Sequence, residues 1–138
     1  MRALIADTGP LVALLNRNEK EHDWCVRALN GFDGALLTCD SVLTEAFFLL
    51  KRTHAGEDAL WDLLNRGLLK LAFDLSKEKA CVQALTKAYK NVPMSLADGC
   101  LVRMAELTPD AQIFTLDRDF QVYRKNRNMQ ISCLAPWS

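Results

Sequence analysis

The strongest constraint on the fold is a rhythm. Short apolar runs, each closed by a polar turn, alternate with longer amphipathic stretches. The first run, RALIAD, ends on Asp7 and breaks at Thr8-Gly9-Pro10, a cap, a flexible residue and a proline suited to a first helical turn. A strand over residues 2–6 is therefore expected to give way to a helix over 10–16. The same reading places helices over 20–29 and 56–65, one capped by Asp40-Ser41 and running to about 53, one begun by Ser76 and ending near 90, and one capped by Ser95 and ending at 107. Strands are expected over 35–38, 68–73, 112–116 and 130–134, with a helical turn near Phe120. Apolar strands alternating with helices predict a three-layer α/β/α arrangement around a mostly parallel sheet of four to five strands. No linker or repeat divides the sequence, so residues 1–138 are read as one domain.

Bulk charge narrows the function classes. Lysine plus arginine equals aspartate plus glutamate at 17 each, so no overall charge draws the chain to nucleic acid or membrane. Any such partner must be met by a local patch or a metal. The five cysteines are scattered without a CxxC pair, which disfavours zinc and fits reduced thiols in a cytoplasmic protein. Asp7 interrupts the first apolar run before a secretory leader can form, and the longest apolar runs are too short to span a bilayer. No glycine-rich phosphate loop is present.

Four acids stand in costly places. Asp7 and Asp117 follow apolar strands, where ligands bind in parallel α/β sheets. Glu45, in SVLTEAFFLL, and Asp98, in SLADGCLVRMAE, have mainly apolar neighbours at helical spacing, so both are read as facing the core. Each alone could be a cap, a turn former or half of a salt bridge. Jointly they are harder to explain, because two carboxylates 4 Å apart repel by about 4 kcal/mol at an effective dielectric of ~20. Converging carboxylates persist if they are protonated or hold a cation, and oxygen ligands without His or Cys select Mg²⁺ or Mn²⁺.

In order along the chain, ADTGPLVAL, LTEAFFLL, SLADGCLVRMAE and TLDRDF resemble a PIN-domain ribonuclease, most closely the VapC-type toxins of toxin–antitoxin pairs. The resemblance implies a PIN-like fold and metal-dependent hydrolysis of RNA, with Asp7, Glu45, Asp98 and Asp117 as the catalytic, metal-binding acids. It further implies a pocket-lining hydroxyl at Thr115 and a similar group at Thr8; with Asp119 and the nearby cations Lys51 and Arg118, these are the candidate substrate contacts. Asp119 remains open between an extra acid at the site and a cap leading into Phe120, with Asp117 preferred as the fourth acid. Arg52, at the end of the Glu45 helix, and Arg124, Lys125 and Arg127 are further local cations, the last three also readable as a solvated loop face. His22 and His54, in polar segments, are not expected to be catalytic. The resemblance also implies a homodimer and a small antitoxin in a hydrophobic groove, for which Trp24, Phe47, Phe48 and Trp61 are candidates, with core packing as their other role. A housekeeping RNA-processing nuclease and a non-catalytic PIN-fold binding partner are the alternatives. A haloacid-dehalogenase-type phosphatase is disfavoured because Asp7-Thr8-Gly9 lacks the second aspartate of its D-x-D.

Overall fold

The computed structural model describes residues 3–138, so Arg2 of the expected first strand lies outside the described residues. The main sheet contains β1 (Leu4–Ala6), β2 (Leu36–Thr38), β3 (Leu69–Leu71), β4 (Gln112–Phe114) and β7 (Cys133–Leu134) in the order β3-β2-β1-β4-β7. All its pairings are parallel, with Ile5 opposite Leu37 on one side and Ile113 on the other. Helices α1 (Thr8–Leu15), α2 (His22–Ala28), α3 (Asp40–Leu50), α4 (Gly56–Asn65), α5 (Leu75–Ala88) and α6 (Leu96–Leu107) complete the α/β/α layers. Among the described residues no helix is long and apolar enough to cross a membrane.

Burial explains the composition of each strand. Leu4, Ile5 and Ala6 of β1 are all buried, as a central parallel strand covered on both faces requires. Edge strand β3 buries Leu69 and exposes Lys70 and Leu71. Ile113 and Phe114 of β4 meet Leu101 and Val102 of α6 in one core. Of the free cysteines, Cys25, Cys39 and Cys100 are buried, Cys133 is half-buried and Cys81 is exposed.

Several boundaries differ from the sequence reading for local reasons. Helix α1 begins at Thr8, because Asp7 itself is the cap and its carboxylate accepts from the Thr8 amide at 2.8 Å. Cys39, not Asp40, occupies the cap position of α3, which ends at Leu50. Asp74, not Ser76, caps α5, accepting from the Ser76 amide at 3.0 Å. The expected strand over 130–134 is two strands. Met129–Gln130, β6, pairs antiparallel with β5 (Arg124–Lys125), while β7 joins the main sheet. The hairpin turns through Asn126 and Arg127, both at positive φ. The solvated-loop reading holds for Arg127, exposed in the turn, but not for its neighbours: Lys125 is buried, and the Arg124 guanidinium donates to the carbonyls of Gln121, Val122 and Tyr123.

Arg103 is a clasp between helices. Its guanidinium donates to Glu78 of α5 at 2.7 Å and to Glu106 at 3.1 Å, and Glu106 accepts the Asn126 amide of the hairpin at 2.6 Å. All three side chains are at least three-quarters buried. Arg103→Ala strands two shielded carboxylates and is expected to cost about 2–3 kcal/mol. Urea unfolding checks this, and an unchanged midpoint would show that the clasp contributes nothing.

Candidate active site

The β1–β4 boundary is a topological switch point, because the chain builds outward through β2 and β3 on one side of β1 and through β4 and β7 on the other. Asp7 leaves β1 there, its amide donating to the Phe114 carbonyl at 2.9 Å. Its carboxylate is nine-tenths buried. It accepts the Thr8 amide at one oxygen and the Thr115 hydroxyl, at 2.7 Å, on the other. Thr115 in turn accepts the Asp117 amide at 3.0 Å. One buried hydroxyl therefore joins the two strand-end acids. Burial pushes the Asp7 carboxyl up to about 6 against the pull of its hydrogen bonds, with Asp98 and Asp117 adding to the rise.

Asp98 reaches the same edge from the first turn of α6. Ser95 and Asp98 form a reciprocal capping box, each side chain accepting the other's amide at 3.1 Å. The buried Tyr123 hydroxyl lies 3.3 Å from the Asp98 carboxylate and 3.0 Å from the Pro93 carbonyl. Burial raises its pKa, and the negative charges of Asp98 and Asp119 raise it further. Sequence reading did not single out Tyr123 for the site, since it lies in a segment that resembles a surface loop.

Glu45 approaches from α3, with the Thr8 hydroxyl 3.4 Å from its carboxylate. It is exposed, not core-facing. The buried face of α3 is Val42, Leu43, Ala46 and Leu50, while Phe48 and Leu49 are exposed like Glu45. Asp98 is likewise only half-buried, so the core-facing reading of both acids is corrected. Asp117 is exposed and caps a 3₁₀ turn over Arg118–Gln121, accepting the Asp119 amide at 2.9 Å.

These four acids line one cleft of about 440 Å³, with Thr8, Ser95, Leu49 and Leu116 in its wall and no lysine or arginine. Among the described residues none of the four acids is in an ion pair. The cleft has the donor set of a hard-cation site and uncompensated negative charge. Yet among the described residues no three His, Cys, Asp or Glu side chains stand close enough to hold one ion. The acids share a cleft without closing on a single point.

Other expected contacts lie aside. Lys51 is 3.8 Å from Glu57, and the Arg118 guanidinium sits 5.2 Å from the centre of the Trp137 ring; neither lines the cleft. Asp119 is half-buried beside the cleft, where burial and then Asp117 and Asp98 raise its pKa. The His22 ring bonds the Ala13 carbonyl through Nδ1 at 2.7 Å, and His54 is exposed. Phe120 is buried, Trp24 packs on Phe114, and Phe47 stacks against a half-exposed Trp61.

No curated protein matches the sequence. The fold is similar to the crystal structure of the Mycobacterium tuberculosis toxin VapC20, described as cleaving the sarcin–ricin loop. The TM-score is 0.77 at 16% identity, over 87% of this chain and 94% of that one. The PIN domain model matches residues 4–126, nearly the whole parallel sheet with its acid-lined switch point, and the chain therefore belongs to the PIN domain family.

Proposed function

We propose that residues 1–138 act as one domain and form a metal-dependent endoribonuclease, the toxin of a VapBC-type pair. The reading rests on four carboxylates lining one cleft at the switch point without a compensating cation. Asp7, Glu45, Asp98 and Asp117 would hold Mg²⁺ or Mn²⁺, which take carboxylate oxygens. Such an ion, when bound, would supply a water of lowered pKa and stabilise charge on the phosphate. The chain's own part is positioning. Thr115 and the Thr8 amide fix both oxygens of Asp7, and the capping box orients Asp98. Burial of Asp7 keeps water from screening its charge.

RNA as substrate is supported by the family and by the activity described for VapC20. A homodimer, an antitoxin partner and a cytoplasmic setting belong to the same reading. Exposed Phe48 and Trp61 offer apolar surface to such a partner. The direct experiment incubates the purified protein with cellular RNA in Mg²⁺, Mn²⁺ or EDTA and maps the ends. The expected result is metal-dependent internal cleavage leaving 5′-phosphate and 3′-hydroxyl termini. Intact RNA in both metals would reject the nuclease.

A further inference from the structure

A second concavity lies past the C-terminal ends of the helices that supply Thr8 and Glu45. Thr8 meets Glu45 at the cleft. Leu15, the last residue of α1, and Arg52, two residues past the end of α3, line one pocket of about 490 Å³. Seven helical residues from Thr8 to Leu15 span about 10 Å, so this pocket stands roughly two turns along α1 from the acidic cleft. Its polar lining is Asn16, Arg17, Asn18, Arg52, Thr53 and His54, without a carboxylate.

Both guanidiniums are exposed, and among the described residues neither is in an ion pair. The acids on adjoining turns do not neutralise the pocket: Glu57 is paired with Lys51, and neither it nor Glu19 lines the cavity. Two free guanidiniums, an imidazole and two carboxamides in a concave polar wall match the needs of phosphodiester oxygens. The protein has no net charge, so concentrated local cations must supply whatever electrostatic attraction it has for a polyanion.

We propose that the Arg17–Arg52 pocket is an RNA-backbone site, holding phosphates of a single-stranded segment whose scissile bond lies in the acidic cleft. This rests on the nuclease reading for the identity of the polyanion. It goes beyond that reading in assigning a site remote from the chemistry. The pocket sets affinity and register on longer strands, while a substrate too short to reach it is cleaved without its help.

The test compares wild type, Arg17→Ala/Arg52→Ala and Arg17→Lys/Arg52→Lys. Cleavage of a single-stranded RNA of about twenty nucleotides is measured in Mg²⁺ at several salt concentrations. Binding of the same RNA is measured by anisotropy in EDTA. Loss of two phosphate contacts should raise KM about tenfold with kcat retained, and should lower the log–log salt slope of binding by about 1.4, at roughly 0.7 per phosphate on a single strand. The lysine pair restores the slope, since point charges suffice for counterion release. An unchanged KM and salt slope in the alanine pair overturn the pocket and leave the nuclease standing. If wild type binds RNA but does not cleave it, the nuclease reading fails; the salt slope in EDTA still decides for or against the pocket. No RNA binding by wild type overturns it outright.

Discussion

Asp7→Asn is expected to lower RNA cleavage at least about 10³-fold while making the metal-free protein more stable at neutral pH. The loss of rate follows from removing one acid of the proposed metal site, where several kcal/mol of transition-state stabilisation originate, at about 1.4 kcal/mol per tenfold. The gain in stability follows from the Asp7 carboxyl, which burial lifts from 3.8 to about 6. Below about pH 4 the folded and unfolded chains are both protonated there, and the residue costs nothing electrostatically. As pH rises from about 4 to about 6, the unfolded chain ionises first and native stability falls. Above about 6 the cost levels off near 3 kcal/mol. Asparagine avoids this cost but rearranges the hydrogen bonds. Its carbonyl can accept the Thr8 amide, but its NH₂ must donate to a Thr115 oxygen that already accepts from Asp117. That leaves the threonine proton without its former acceptor, a loss of about 1 kcal/mol. The net expectation is about 2 kcal/mol of added stability at pH 7.5, vanishing or reversing near pH 4. Denaturant titrations in EDTA across that range measure it. A variant less stable than wild type at pH 7.5 would mean that Asp7 holds the fold together through its hydrogen bonds. Added Mn²⁺ should narrow the gap by stabilising wild type alone.

The parts of this molecule legible in its sequence were those set by local rules. A buried parallel strand must be apolar throughout, so β1 and the acid ending it could be read directly, as could the Ser95 cap of α6. Glu45 misled because residue type and position disagree on α3. Exposed Phe48 and Leu49 counterfeit the stripe that usually marks a core-facing side, while the buried face is carried by Val42, Leu43, Ala46 and Leu50. The hairpin was hidden for a different reason. Its turn uses Asn126-Arg127 in a conformation that glycine ordinarily announces, so no punctuation marked the two short strands. The bond between Thr115 and Asp7 joins residues 108 apart. Sequence could nominate each as a strand-end group, but only the parallel register of β1 with β4 places them together. Tyr123 carried no signal at all, because its meeting with Asp98 depends on how the turn after β4 folds back over α6.

Asp98 poses the sharper separation of structure from chemistry, since the same carboxylate caps α6 and faces the cleft. Asp98→Asn, Asp98→Ala and Ser95→Ala distinguish the two roles. Asparagine retains a side-chain oxygen able to accept the Ser95 amide, so stability should stay within about 0.5 kcal/mol of wild type; Asp98→Ala and Ser95→Ala each lose a capping bond, about 1 kcal/mol. If Asp98 served only the helix, cleavage would track stability: the asparagine variant would be nearly as active as wild type and the two alanine variants would decline together. The metal-site reading requires the opposite order. Both Asp98 variants should fall about 10³-fold or more because each removes an anionic oxygen donor, whatever its effect on the cap. Ser95→Ala should keep most of its cleavage despite unfolding at lower denaturant. An active Asp98→Asn protein would reduce the cleft to three acids at most, and the case for a cation held among them would rest on Asp7, Glu45 and Asp117.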